Sequence, residues 1–301
     1  MTRAFVDHPL GDRELAVTAA LAAARHWRLD TPVVLRIGMN AIFDAGPVVL
    51  RVSRPSAPGE AALELHETLR SIGVPVTRPA HADVVTVDDL VVTCWERLVA
   101  TGADVDWRAL GAIVRHVHRV APDALPAEYP LASPRDLPWW DFPSLLADTV
   151  DLLDAPALAG IDAALDRWAG WVRWDEEADA TDLVVCHGDV HPGNVVMTID
   201  GPVLIDWDLM SWAHAGWDHA PLMTWTERWG GAPGIYEAFA DGYGRSLRGD
   251  PVAEGYAELR LLAATLMRLR AGRPDPVARI EAERRLAYWR GDPDAPTWTA
   301  Q

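Results

Sequence analysis

The residues His187-Gly188-Asp189-Val190-His191-Pro192-Gly193-Asn194, with Ile205-Asp206-Trp207-Asp208 shortly downstream, set an acid, an amide and a second acid at spacings that suit one task. The preceding run Leu183-Val184-Val185-Cys186 is apolar and reads as a buried strand, so Asp189 emerges in the loop at its end, where a carboxylate can accept a proton. Asn194 offers a neutral amide oxygen, a hard ligand suited to a magnesium ion that already carries phosphate oxygens. Val195-Val196-Met197, an Asp200-Gly201 turn of type I′ and Val203-Leu204-Ile205 read as a hairpin that returns Asp206 beside Asn194. Transfer of a phosphoryl group asks a protein mainly for in-line positioning and for cations against the developing charge, and this loop and hairpin contain those parts. His187 and His191 would form a zinc pair on a helix, but Gly188, Pro192 and Gly193 forbid one.

The spacing from Asp189 to Asn194, with Asp206 opening the next motif, resembles the catalytic and metal loops of protein kinases. The fuller run from Cys186 to Asn194, with Leu204 to Asp208, resembles the aminoglycoside phosphotransferase family. That resemblance implies an α+β, protein-kinase-like two-lobed fold: an N-terminal lobe with a five-stranded antiparallel sheet plus helices, and a larger, mainly α-helical C-terminal lobe. It implies transfer of the terminal phosphate of ATP or GTP, with Mg2+, to a hydroxyl of a small molecule such as an antibiotic. Asp189 would be the catalytic base, Asn194 and Asp206 the magnesium ligands and His187 an anchor of the loop, while Asp218, in Gly216-Trp217-Asp218-His219-Ala220, would tie the loop to the next helix. A metal-dependent phosphatase or hydrolase and a nucleotide-binding pseudokinase are the alternatives. A dehalogenase-type phosphatase would need a hydroxyl residue two beyond Asp208, where Met210 stands.

All 27 basic residues are arginine, which removes Schiff-base lysine chemistry and the P-loop lysine. Pro47-Val48-Val49-Leu50-Arg51-Val52 is a strand-like run whose single cation, Arg51, presents a planar fork suited to phosphate; the resembled family often has arginine there. Upstream, Val33 to Ile37 and Ala41 to Phe43 read as a hairpin around Gly38-Met39-Asn40, where Gly38 and Asn40 are candidates for a phosphate-covering turn. A helix from Gly59 to Ile72 would carry an acid facing Arg51, Glu60 by the family pattern, with Glu64 as its rival. Asp83 to Val87 and Leu90 to Trp95 complete the sheet, and Trp95, Glu96 and Arg97 look like the interlobe hinge whose backbone reads a purine edge. The expected division is residues 1–95 as nucleotide lobe, 96–99 as hinge and 100–301 as catalytic and acceptor lobe.

The rest reads as helices at 12–27, 107–120, 142–153, 156–176, 216–229, 233–247, 252–272 and 276–290, a proline-punctuated connector from Pro122 to Pro138, and a loose tail at 291–301. Twelve of the fifteen tryptophans lie from Trp139 onward, and an acceptor cleft walled by aromatics with Asp141, Asp208, Trp212 and Glu227 is expected. The formal net charge of −17 argues against nucleic acid as a partner and is compatible with a cationic acceptor. Cys94 and Cys186 read as reduced core thiols, and no stretch is apolar enough for a membrane span or signal peptide, so a cytoplasmic chain with no membrane partner is expected.

Overall fold

The computed structural model describes residues 10–173 and 182–299. The last part of the helix expected at 156–176 and the last two residues of the tail fall outside them. Helix α1 (Arg13–Trp27) begins at Asp12, whose carboxylate accepts from the Glu14 and Leu15 amides, satisfying two donors that a helix start leaves open. Its alanines at 16, 19, 20 and 23 recur at helical spacing and form one buried stripe. That stripe lies on an antiparallel sheet of β1 (Val33–Ile37), β2 (Ala41–Ala45), β3 (Val48–Ser53), β4 (Val85–Val87) and β5 (Leu90–Glu96), in the order β1-β2-β3-β5-β4.

Alternation along the two central strands sorts structure from chemistry. Val48, Leu50 and Val52 of β3 and Leu90, Val92 and Cys94 of β5 are buried in the core that α1 covers. A strand's side-chain period of two therefore turns Val49, Arg51, Thr93 and Trp95 to the opposite face, and the register pairs Val49 with Trp95 and Arg51 with Thr93. Helix α2 (Gly59–Ser71), inserted between β3 and β4, contributes Ala61, Leu65 and Leu69 not to this small core but to the large C-terminal one.

The C-terminal part is mainly helical: α3 (Trp107–Val117), α4 (Phe142–Ala147), α5 (Ala155–Arg167) and α6 (Ala169–Arg173) precede two small sheets. In these, β6 (Leu183–Cys186) pairs with β9 (Ser211–His214) and β7 (Val195–Thr198) with β8 (Gly201–Leu204). Helices α7 (Gly216–Met223), α8 (Trp225–Trp229), α9 (Ile235–Tyr243), α10 (Pro251–Ala271) and α11 (Pro276–Trp289) follow. The result is a two-lobed α+β fold with the five-stranded sheet in the smaller lobe, as expected. Among the described residues no helix is long and apolar enough to cross a membrane.

Four local expectations need correction. The hairpin turn lies at Ile199-Asp200 rather than Asp200-Gly201, because Thr198 pairs with Gly201; the left-handed residue is Gly201, so the turn is not type I′. Strand β9, in a run of mixed polarity with no alternation, escapes pattern reading and is supplied by pairing with β6. The helix expected at 142–153 ends at Ala147, with a single 3-10 turn at Val150–Leu152. The helices expected at 156–176 and 216–229 each break in two, at Trp168 and Thr224, where the backbone leaves helical hydrogen bonding for a cap.

Helices α3 and α9 cross backbone to backbone. A Cβ built on Gly111 would stand 2.0 Å from the Phe239 carbonyl oxygen, and one on Gly242 1.8 Å from that of Arg108. Gly111→Ala is therefore expected to destabilise the protein by about 1–3 kcal/mol, the overpacking range. Alanine's helix advantage of about 1 kcal/mol is outweighed, since the obstructing atom is helix backbone that cannot swing aside. Thermal denaturation checks this; a melting point equal to or above that of the parent chain contradicts the close crossing.

Candidate active site

Strand β6 carries the chain through the large core to Cys186, whose thiol burial pushes well above its ordinary value, and releases it into the loop that starts at His187. Gly188 sits at φ +92° with the Leu209 carbonyl oxygen 1.9 Å from where a Cβ would be, so only glycine permits this close approach. Both amides at the loop's start donate to the fully buried Asp218 on α7: His187 N to Oδ2 at 2.8 Å and Gly188 N to Oδ1 at 2.7 Å. His118 Nε2 meets Oδ2 at 3.0 Å, and His118 Nδ1 in turn meets the Tyr243 hydroxyl at 2.9 Å. Burial pushes the Asp218 carboxyl up, but the His118 contact, the nearby histidines and the Gly188 amide more than offset it and hold the group below the usual range. His187 is itself buried, its Nε2 3.1 Å from the Ile205 carbonyl oxygen, its Nδ1 accepting from Asp189 N at 3.2 Å, and burial holds it below its ordinary value.

Asp189 is surrounded by donors. Arg260 on α10 donates through Nη2 to its Oδ1 at 2.8 Å and through Nη1 to the Gly188 carbonyl at 2.9 Å. The guanidinium lies over the Trp217 ring, 4.5 Å from its centroid. Oδ2 takes His191 Nε2 at 3.3 Å and Asn194 Nδ2 at 3.1 Å. His191 Nδ1 accepts the Gly193 amide at 3.0 Å, which assigns the ring proton to Nε2, so His191 donates to Asp189 even when neutral. Burial pushes the Asp189 carboxyl up, yet His191, Arg260 and His187 together hold it well below the usual carboxylate range. It is an anion throughout the neutral region, ready to accept a hydrogen bond from a hydroxyl.

Asn194 is buried and sends its amide nitrogen to two acceptors, the carbonyl and carboxylate oxygens of Asp189. Since neither acceptor could face an amide oxygen, Oδ1 must turn away from Asp189. The β7–β8 hairpin starts at Val195, and Ile205 N donates to the Asn194 carbonyl at 2.9 Å, which brings the chain back beside Asn194 one residue before Asp206. Asp206 stands at φ 65°, ψ 68°, a left-handed position uncommon for a residue with a Cβ, and lines the space between the lobes. An amide oxygen and a carboxylate at adjoining positions are the hard-oxygen set that suits magnesium.

That interlobe space is a cleft of about 460 Å³, lined from above by Asn40, Val49, Arg51 and Trp95 and from below by Asp206 and Trp207. Arg51 reaches across it: Nη1 donates to Asp208 Oδ1 at 2.9 Å, Nη2 to Oδ2, and both side chains are largely buried. The acid that takes the Arg51 fork is thus Asp208 rather than Glu60 or Glu64. The inward face of α2 is Ala61, Ala62, Leu65, His66 and Leu69, and helical spacing leaves both glutamates on the exposed face. His66 occupies the place expected for the acid, packing on the Trp95 ring with centroids 4.4 Å apart. Around the hairpin turn, Gly38 N donates to the Asn40 carbonyl at 2.8 Å and Asn40 is buried. The hinge amides of Glu96 and Arg97 donate to the carbonyls of Arg78 and Pro47, so they serve the lobe itself; Leu98 and Ala100 follow along the cleft wall. The Arg97 side chain pairs with Asp44 at 2.8 Å.

A second cavity, of about 490 Å³, has Asp189 in its wall and opens among the helices, walled also by Trp139, Trp225, Trp229, Arg260 and Arg268. Of the four residues expected in the acceptor cleft, none lines it. Asp141 caps α4, accepting from the Ser144 amide and hydroxyl; Asp208 is held by Arg51. Trp212 lies on β9 with its amide donating to the Ala132 carbonyl, and Glu227 is on the exposed face of α8. Arg260, His191 and His66 are site residues that pattern reading missed. Arg260 lies 71 positions from Asp189 inside an ordinary amphipathic helix, where no local signal marks it.

A model of the phosphotransferase enzyme family matches residues 40–262. No curated protein sequence matches the chain. Among solved structures, the chain is similar to spectinomycin phosphotransferase APH(9)-Ia in complex with ADP and spectinomycin, at 17% identity over 88% of this chain and 90% of that one, TM-score 0.62. It is similar to APH(2'')-IIia in complex with GDP and kanamycin at 12% identity over 92% and 98%, TM-score 0.66. A choline/ethanolamine kinase family protein from Mesorhizobium loti shows 21% identity over 92% and 94%, TM-score 0.61. At these identities the likeness is one of fold, and the fold is that of two-lobed, kinase-like phosphotransferases.

Buried histidines, His66 on the cleft wall and His219 on α7, also give the fold an acid sensitivity. Burial lowers His66 to about 4 and His219 to about 3, from an ordinary value of 6.5. Folded His66 stays neutral while the unfolded chain binds a proton below 6.5, so the folded state loses stability as pH falls from 6.5 toward 4 and regains it above. For His66 the full span corresponds to about 3 kcal/mol. Denaturant titrations across that window are expected to show the fall and to show it reduced in His66→Gln; an identical slope in the variant removes His66 from the effect.

Proposed function

The chain belongs to the phosphotransferase enzyme family, and from that premise we propose that it moves the terminal phosphate of ATP or GTP to a hydroxyl of a small molecule, with Mg2+ as cofactor. The observation that carries the reading is the placement of Asp189 and Asp206 on two adjoining cavities with Asn194 beside both: Asp206 in the wall of the interlobe cleft, Asp189 in that of the helical cavity. A triphosphate in the first and an alcohol in the second would meet between them. The structures similar in fold, whose partners include ADP with spectinomycin and GDP with kanamycin, support a nucleotide donor and an antibiotic acceptor.

The residues have distinct tasks in this reaction. Asp189, kept anionic by Arg260 and His191, accepts the hydrogen bond of the incoming hydroxyl, aligns its oxygen with the phosphorus and takes its proton as the new O–P bond forms and the bond from that phosphorus to the bridging oxygen breaks, releasing ADP or GDP. Its low proton affinity makes alignment the larger part of its work. Arg51 sets a positive charge in the cleft wall for the phosphates, with Asp208 holding its fork from across the cleft. Asn194 Oδ1 and the Asp206 carboxylate would hold magnesium, which when bound neutralises charge on the terminal phosphates. Trp95, Leu98 and Ala100 give the cleft an apolar side for a base, and the turn at Gly38 and Asn40 covers it from the smaller lobe. A phosphotransferase of this kind acting on a metabolite or antibiotic would work in the cytoplasm.

Asp189→Ala is expected to lower acceptor-dependent ADP or GDP release by about 10²–10⁴-fold while leaving nucleotide affinity unchanged, because the carboxylate acts on the hydroxyl and not on the donor. Transfer at the parent rate would remove Asp189 from the mechanism. Asp206→Ala is expected to abolish the gain in nucleotide affinity that magnesium confers, read by calorimetric titration with and without the ion. Phosphate released at full rate with no acceptor present would instead mark a hydrolase.

A further inference from the structure

Resting on the reading of the interlobe cleft as a nucleotide site, we infer that His66 sets the choice of donor: its Nε2 accepts a hydrogen bond from the 6-amino group of adenine, so that the chain takes adenine nucleotides in preference to guanine ones. His66 is the one polar side chain among the buried residues of α2, in a stripe with Ala62, Leu65 and Leu69. Its Nδ1 stands 2.9 Å from the Thr77 carbonyl oxygen, which can only accept, so Nδ1 carries the ring proton and Nε2 the lone pair. Burial lowers the ring to about 4, and Nε2 therefore stays an acceptor at neutral pH. Nε2 has no hydrogen-bond partner among the described residues and is not sealed from solvent, and the open space that His66 lines is the cleft. Packing alone makes no use of that lone pair. A donor entering the cleft does.

Thr77 marks the end of the cleft at which this acceptor sits. It precedes Arg78, whose carbonyl accepts the Glu96 amide at 2.8 Å, and Pro79 bridges antiparallel to Trp95, so this segment runs beside the end of β5, where the chain leaves the smaller lobe. The His66 ring packs on that same Trp95. Trp95 lies opposite Val49, two residues closer to the chain's exit than Thr93, which lies opposite Arg51. Ile42 and Val49 from one lobe and Val196 and Ile205 from the other line the space with apolar surface, which suits the two faces of a planar base. The base would then turn its edge to the end of β5. Most polar groups there are already used: the Glu96 and Arg97 amides bond within the lobe, and Trp95 Nε1 donates to Thr93 Oγ1 at 2.8 Å. His66 Nε2 is left to read the edge. Adenine presents an amino donor at position 6, where guanine presents an oxygen, so guanine in the same pose would set lone pair against lone pair.

Four nucleoside diphosphates that differ only in the base, titrated calorimetrically into the full chain with magnesium, test the inference: ADP, purine riboside 5′-diphosphate, inosine diphosphate and GDP. The first two share every ring atom, and only ADP carries the amine. ADP is expected to bind about tenfold or more tightly than purine riboside diphosphate, the difference between a buried acceptor satisfied and one left bare. Inosine diphosphate and GDP, which place an oxygen at position 6, are expected to bind more weakly still. In His66→Leu the ratio of ADP to purine riboside diphosphate is expected to fall to within about twofold. His66→Gln, whose amide can turn its nitrogen toward that oxygen, is expected to bring inosine diphosphate and GDP closer to ADP. Equal affinity of the parent chain for ADP and purine riboside diphosphate, or GDP binding as tightly as ADP, overturns the inference and leaves the cleft a nucleotide site. So does a ratio unchanged in folded His66→Leu, and so does inosine diphosphate matching ADP while GDP is weak, which would assign the choice to the 2-amino group of guanine. Binding of none of the four overturns the nucleotide reading of the cleft together with the inference.

Discussion

A buried carboxylate holding two backbone amides underlies everything the site does. Asp218 has no exposure to solvent, yet it stays ionised because the His187 and Gly188 amides and His118 occupy its oxygens. Such a charge is costly to bury unless every lone pair is used, and here the cost is offset by hydrogen bonds that also define the loop's path. With that path set, Gly188 can press on the Leu209 carbonyl and Asp189 is delivered to the wall of the helical cavity. The loop contributes no helix or strand of its own before the 3-10 turn at Pro192–Asn194, so side chains hold its backbone: Asp218 at the His187 and Gly188 amides, Arg260 at the Gly188 carbonyl and Asn194 at the Asp189 carbonyl.

The second organising contact is the ion pair from Arg51 to Asp208, which joins the lobes. In the resembled kinase pattern a helix acid orients the strand cation; here the acid comes from the other side of the cleft, two residues after Asp206. The consequence is mechanical as well as electrostatic. One end of the pair rides on β3 and the other on the 3-10 turn that follows Asp206, so the position of the Arg51 guanidinium depends on how the lobes sit together. Helix α2, freed from carrying the acid, uses its inward face for packing and places His66 against Trp95 on the cleft wall.

Electrostatics also separates the two cavities from the surface. The net charge of −17 is summed over the whole chain, while the described wall of the helical cavity sets Arg260, Arg268 and Arg285 around Asp189. A charge balance summed over the chain is a statement about solubility and repulsion at long range, whereas an acceptor meets only the groups within a few ångströms, where screening by solvent is weak.

The path of the candidate catalytic loop and of the hairpin after it was legible from the chain because its parts are local. Asp189, Asn194 and Asp206 lie within one loop and one hairpin, where glycine, proline and alternating apolar residues restrict the backbone to few conformations. The strand period on β3 likewise placed Arg51 opposite the core residues Leu50 and Val52. What the chain alone left undetermined are contacts between distant segments: Arg260 reaching Asp189 from α10, Asp208 meeting Arg51, β9 beside β6, and the tryptophans that face the cavity rather than the core. A glutamate on α2 or an aspartate before α4 has the same local pattern whether it faces a ligand or water. Local sequence determined the chemistry available to this protein, and tertiary packing decided which charges meet, because period and propensity fix the direction of a side chain on its own element but not what the next element brings against it.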